Sequence, residues 1–199
     1  MKVIFLDNDG VICLANNWGG RTNKMKKYLK LNPEWDRMYK TAPIEYRFDD
    51  FDKKAVKVLN QILAETGAEI VVSSDWKKHA NLEELGAYYL AQGISKAPIA
   101  FTPSFIGCEK PEGFEWDRHQ QYEQERALEI TQYVKDHPEV THWVAVDDLD
   151  MAIEVMRWSV NFTRVWGLSN FVLTPKSTEG IKQLGIKEQI LKYLNETNS

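Results

Sequence analysis

The chain has 199 residues, 43% hydrophobic and 27% charged, enough for one domain with a full core. A formal net charge of −4 excludes a basic nucleic-acid coat. Two cysteines, Cys13 and Cys108, are too few for a disulfide framework and lack metal-site spacing. A reducing, cytoplasmic setting is therefore expected, with no signal core and no membrane-spanning run.

In chain order, Val3–Leu6 is a short apolar run that predicts a buried strand of a parallel sheet. It ends in Asp7-Asn8-Asp9-Gly10. Strand residues two apart share a face, so Asp7 and Asp9 can present both carboxyls to one side. Close carboxylates repel unless a cation lies between them or one holds a proton. Two plainer readings compete. Asp-Gly between apolar runs also predicts a hairpin of Val3–Asp7 with Val11–Ala15. A calcium loop fits less well, because the further alternate ligands and the closing Glu are missing.

Residues 16–47 predict a small inserted cap with a short helix around Met25–Leu31, broken by Pro33 and Pro43. Between Asn16 and Lys40 there are seven bases against two acids, a local charge of +5 that leaves −9 on the remainder. Asp50 or Asp52 then caps a helix with the apolar stripe Ala55, Val58, Leu59, Ile62 and Leu63, ended by Gly67. Ala68–Val72 is the second strand, completing a βαβ unit. Asn81–Gln92 is the next helix, with Leu82, Leu85, Tyr89 and Leu90 facing inward, and Pro98–Phe101 a weaker third strand. Residues 103–124 form a loop too long for a simple connection. Tyr122–Asp136 is an amphipathic helix and His142–Val146 a fourth buried strand. Met151–Trp158 reads as a helix, Phe171–Thr174 as a fifth strand and Lys187–Leu194 as a last helix. There is no internal repeat. The expectation is one α/β domain over 1–199 with a doubly wound parallel sheet.

Three strands end in suggestive residues: the first in Asp7-Asn8-Asp9, the second in Ser73-Ser74-Asp75-Trp76, the fourth in Asp147-Asp148-Leu149-Asp150. A parallel sheet gathers these ends on one edge, where carboxylates converge on a hard cation such as Mg²⁺. Each ending has a plainer reading as well. Ser73, Ser74 and Asp75 suit a turn or a helix N-cap, and Asp147–Asp148 a helix N-terminus.

Val-Ile-Phe-Leu-Asp-Asn-Asp-Gly-Val resembles the first motif of the haloacid dehalogenase (HAD) superfamily, Ile-Val-Val-Ser-Ser-Asp-Trp-Lys the second, and Trp-Val-Ala-Val-Asp-Asp-Leu-Asp the fourth. The likeness spans residues 2–150. Ser-Ser-Asp-Trp-Lys, Thr102-Pro103 and Arg126-Ala-Leu-Glu-Ile130 are also similar to small HAD domains associated with RNA repair. The resemblance implies a HAD-like, Rossmann-like fold and a Mg²⁺-dependent phosphomonoester hydrolase working through an aspartyl phosphate. In that likeness Asp7 is the nucleophile and Asp9 the general acid and base. Mg²⁺ is held by Asp7, the Asp9 carbonyl and Asp148, with Asp147 in support and Asp150 less clear. Ser73 binds the phosphate, with Ser74, Gly10 and Lys77 near it. Arg126 is chosen as the third-motif cation and Lys110 is its alternative; an Arg126 paired with Glu123 or Glu129 on an exposed helix is the plainer reading.

The cap's bases interleave with Trp18, Tyr28, Trp35 and Tyr39. This suits a phosphorylated base or a nucleic-acid end, while a solvated helix face explains it equally well. The substrate expected is a nucleotide or a polynucleotide phosphate end, with a small-metabolite phosphate as competitor and a non-catalytic HAD-like binding module as the rival class. No membrane and no stable protein partner is expected. His79, His119, His137 and His142 lack clustered spacing and read as structural or surface residues.

Overall fold

Ile4 and Leu6 point to one face of strand β1 (Lys2–Leu6), Val3 and Phe5 to the other, and all four are fully buried. A strand covered on both faces must lie inside a layered sheet. In the computed structural model, which describes residues 1–33, 42–110, 119–152, 154–159 and 162–196, β1 is the central strand of a five-stranded parallel sheet. Its neighbours are β2 (Glu69–Val72) and β4 (His142–Asp147). β3 (Ala100–Phe101) flanks β2, and β7 (Phe171–Leu173) flanks β4. The hairpin reading of Val3–Ala15 is thereby overturned: β1 pairs in parallel on both sides.

Register does the rest. Leu6 lies opposite Val72 on one side and Val146 on the other, so the three central strands end level. The residues that follow, Asp7, Ser73 and Asp147, therefore emerge together at the carboxyl edge. Strand order reverses at β1, and that is the crevice where open α/β sheets hold ligands.

Helices α3 (Lys53–Thr66), α4 (Leu82–Ala91) and α6 (Ile186–Asn195) pack on the Ile4 and Leu6 face through Leu59, Leu85 and Ile190. Helix α5 (Gln121–Asp136) covers the opposite face with Ala127, Ile130 and Tyr133. Each fully buried Ile or Leu contributes about 1.5–3 kcal/mol. Asp52 caps α3, accepting from the Lys54 and Ala55 amides at 2.9 Å, and Gly67 closes it with φ 69°. Asn81 caps α4 in a reciprocal box with Glu84. Among the described residues, no helix is long and apolar enough to cross a membrane.

Several expectations are corrected. Glu154–Ser159 is not helix but strand β5, paired antiparallel with β6 (Phe162–Trp166) in a separate two-stranded sheet. Met151, Val155 and Trp158 have helical spacing, yet the β-branched and aromatic content of both segments favours a pleated ribbon. Leu90 is 52% exposed, and Tyr88 takes the inward place. The third strand shortens to Ala100–Phe101. After β1, helix α1 runs over Gly20–Leu31, longer than foreseen, and α2 over Ile44–Arg47. Residues 34–41, with Trp35, Arg37, Tyr39 and Lys40, lie outside the described residues, as do 111–118 of the long loop.

Candidate active site

Beyond Leu6 the backbone continues the ladder for one residue, Asp7 N donating to Val146 O at 3.1 Å, and then turns sharply. The Asn8 carbonyl accepts from the amides of Val11, Ile12 and Cys13, and Gly10 N donates to Cys13 O. Gly10 has φ +72°, a left-handed conformation costly for other residues. A Cβ there would lie 2.0 Å from Asp148 Oδ2. Gly10 is thus required twice, by the turn and by the approach of the β4 acid.

One carboxylate oxygen from each of Asp7, Asp147 and Asp148 lies within 4.8 Å of the others. Asp7 and Asp147 are 5% and 1% exposed; Asp148 is half-buried. From α5, Arg126 reaches across with Nη1 at 2.8 Å from Asp7 Oδ1 and 2.9 Å from Asp147 Oδ2, and it also donates to the Ser73 carbonyl. The reading of Arg126 as an exposed residue paired with Glu123 or Glu129 is overturned: its side chain is 12% exposed.

The electrostatics follow from crowding. Burial raises the Asp7 carboxyl above the usual range, against the pull of Arg126 and hydrogen bonds including one from Ser74. Burial and the charge of Asp7 push Asp147 well up. Asp148 is raised to about 6 by burial and by Asp7 and Asp9. A single guanidinium does not balance three carboxylates, and the cluster is one that could hold a metal ion. All-oxygen donors of this kind suit a hard ion such as Mg²⁺. Asp9 departs from the cluster: its carboxyl accepts the Trp76 indole N–H at 2.8 Å. Burial and the neighbouring Asp7 raise it, against that hydrogen bond.

The Ser73 hydroxyl is buried and has no hydrogen-bond partner, a costly condition that a phosphoryl oxygen would relieve. Ser74, 2% exposed, precedes a single 3-10 turn over Asp75–Lys78. That turn carries Trp76 inward, stacked on Phe48 at 4.2 Å.

Lys77, expected to meet substrate, is turned elsewhere. Its ammonium donates to Thr102 O, Thr102 Oγ1, Pro103 O and Glu129 Oε2, the last at 2.6 Å. Lys110 is exposed at the edge of the 111–118 stretch, and Asp150 is exposed beyond the cluster with its carboxyl on the Ala152 amide. The role of Trp76 is not legible in the sequence, because nothing local to residue 76 reveals its contact with residue 9.

The wholly parallel sheet, its strand order and its carboxylate-lined edge define an α/β domain of the HAD-like class. More narrowly, a family model for the HAD domain in Swiss Army Knife RNA repair proteins matches residues 3–183, and the chain belongs to that family. No match was found among curated proteins or among solved structures. Membership supports a phosphatase-like function, and the three-Asp cluster is one that could hold a metal ion.

Proposed function

We propose that this chain is a Mg²⁺-dependent phosphomonoester hydrolase that works through an aspartyl phosphate on a nucleotide or a polynucleotide phosphate end. The observation that carries it is the convergence of Asp7, Asp147 and Asp148 within 4.8 Å, beside Arg126 and the unpartnered Ser73 hydroxyl. Asp7, Asp148 and the main-chain carbonyl of Asp9 would hold Mg²⁺, with Asp147 tied down by Arg126 and the Leu149 amide. When bound, Mg²⁺ neutralises charge on the transferring phosphoryl group and favours the ionised form of Asp7.

The chain's own groups divide the work. An Asp7 carboxylate oxygen attacks phosphorus while the bond to the leaving oxygen breaks and Asp9 delivers its proton to that oxygen. Asp9, now ionised, removes a proton from water; the water oxygen attacks phosphorus and the Asp7–phosphorus bond breaks, releasing inorganic phosphate. The raised Asp9 carboxyl suits the first role, since a general acid must hold its proton near working pH. Ser73 and Ser74 hold phosphoryl oxygens, and Arg126 stabilises their charge. The described parts of residues 16–47 act as a small cap beside this edge, and Lys110 serves the site from its margin, while Lys77 braces the turn after β2 against Glu129. The alternative substrate is a small-metabolite phosphate.

Release of inorganic phosphate tests the reading, using p-nitrophenyl phosphate, nucleoside 3′- and 5′-monophosphates, glycerol phosphate and 3′- and 5′-phosphorylated oligonucleotides. Turnover is expected with Mg²⁺, lost in EDTA and in Asp7→Asn, and reduced at least about a hundredfold in Asp9→Asn. A folded protein that hydrolyses none of them would overturn it.

A further inference from the structure

A second cavity adjoins the acid. Asp9, Trp18, Gly19, Arg21, Thr22 and Asp49 line a space of about 370 Å³ at the mouth of the crevice. It lies at the small end of ligand pockets and suits one nucleoside unit, not a length of polymer. Three features make it a built site. The Trp18 ring is 47% exposed, yet its indole N–H donates to the Cys13 carbonyl at 3.1 Å. That carbonyl belongs to the same turn that carries Asp9 and Gly10. The ring is therefore an exposed aromatic face held in register with the catalytic turn.

Asp49 supplies the second feature. Buried at 5% exposure, it accepts from the amides of Gly19 at 3.2 Å and Arg21 at 2.5 Å, so it anchors the entry to α1 against the body of the domain. The third is Arg21 itself. Its guanidinium, with Nε 3.9 Å from Asp49 Oδ2 and a half-exposed side chain, shares the cavity wall with Asp9. Thr22 adds a hydroxyl to the same wall. An aromatic face, a forked cation and a hydroxyl around one small cavity match a base, a phosphate or sugar oxygen and a ribose hydroxyl.

We propose that this cavity is the nucleoside subsite: the base of the unit bearing the scissile phosphate stacks on Trp18 while Arg21 contacts its sugar-phosphate oxygens. The assignment rests on the phosphatase reading for the position of the phosphate, and it narrows the substrate to a nucleoside monophosphate unit. That unit is either a free nucleotide or the terminal residue of a strand.

Two measurements separate the claims. The first compares kcat/KM for nucleoside monophosphates, for phosphorylated oligonucleotides and for glycerol phosphate in wild type, Trp18→Ala, Trp18→Phe and Arg21→Ala. Trp18→Ala is expected to lower the nucleotide-to-glycerol-phosphate ratio about tenfold, with Phe restoring most of it and Arg21→Ala lowering it several-fold. Preference between free and strand-terminal nucleotides identifies the source. The second is equilibrium binding of nucleoside monophosphates to Asp7→Asn, with and without Trp18→Ala. Trp18-dependent binding without any turnover in the parent protein would keep the subsite and sink the phosphatase. A ratio unmoved by Trp18→Ala, or nucleotide binding absent or indifferent to Trp18, would sink the subsite while leaving the phosphatase standing.

Discussion

Gly10 and Trp76 act at the scale of single residues, and each offers a sharp test. Gly10→Ala puts a methyl 2.0 Å from Asp148 Oδ2 at a backbone φ of +72°. Strain of about 1–2 kcal/mol is expected, with Asp148 displaced and Mg²⁺-dependent turnover falling more than tenfold. Thermal melts and a Mg²⁺ titration of activity measure both effects. Trp76→Phe keeps a ring against Phe48 but removes the donor to Asp9. Its kcat should fall about tenfold or more while KM moves little, because the lost contact orients the proposed general acid. A raised KM with kcat unchanged would point to substrate binding instead. Asp7, Asp9 and the Asp147-Asp148 pair were legible in the sequence because buried apolar runs end in them. Trp76 was not, since its partner lies 67 positions away. Neither was the turning of Lys77 toward Glu129, which depends on where α5 packs.

Elements are tied to one another by a few buried ion pairs. Lys77 and Glu129 join the turn after β2, the end of β3 and α5, and Glu129 also accepts the Phe105 amide at 3.1 Å. Glu129 sits one turn beyond Arg126 on the same helix. Glu129→Gln leaves a largely buried ammonium without its counter-charge, so a loss of about 3–5 kcal/mol is expected in urea unfolding, with reduced turnover as Arg126 shifts. A second link joins α2 to α4: Arg47 forks onto Glu84 at 3.0 and 2.5 Å and donates to Ala42 O at 2.6 Å. The Arg47 hydrogen bond holds the Glu84 carboxyl below its ordinary 4.5. A carboxyl depressed on folding stabilises above its unfolded value and loses that contribution as pH falls through the folded one. Because Glu84 is about a third exposed, the gain is modest, about 1 kcal/mol or less. Glu84→Gln should therefore cost that much at pH 7 and progressively nothing as pH drops below 4.5, which unfolding curves across pH would show. The cap of α3 was readable as Asp50 or Asp52 because a cap acts on the next three residues, whereas Asn81, read as the start of its helix, proves to be the cap. The β5–β6 ribbon was not, because Met151, Val155 and Trp158 carry helical spacing inside a segment of strand-forming residues.

At the scale of the whole molecule, the fold gathers acid. Burial raises Asp7, Asp147 and Asp148, and the charge of Asp7 adds to it at the other two, so ionising them together opposes folding. Mg²⁺ at a hundred times its dissociation constant should stabilise the protein by about 2.7 kcal/mol, seen as a rise in melting temperature that Asp148→Asn removes. A melting temperature indifferent to Mg²⁺ would argue against the cluster as its site. The doubly wound sheet itself was readable because strands buried on both faces appear as continuous apolar runs. After β1 the short helix expected around Met25–Leu31 runs over Gly20–Leu31; it buries none of its residues, so no apolar stripe marks its ends in the sequence.

The turn at residues 8–13 is closed by chain that arrives late. Asp52 N donates to Ile12 O at 2.8 Å, Ile181 N to Val11 O at 3.0 Å, and the Thr174 hydroxyl to Gly10 O at 3.4 Å. A Cβ on Gly180 would stand 2.2 Å from Val11 O, so the two backbones nearly touch. During synthesis Asp7 is therefore made well before the segments that fix the turn beside it. Contacts of such long sequence separation form slowly, after the loops between them have closed. The proposed hydrolysis should emerge as a single event once residue 181 is free to dock, with no graded activity in shorter nascent chains.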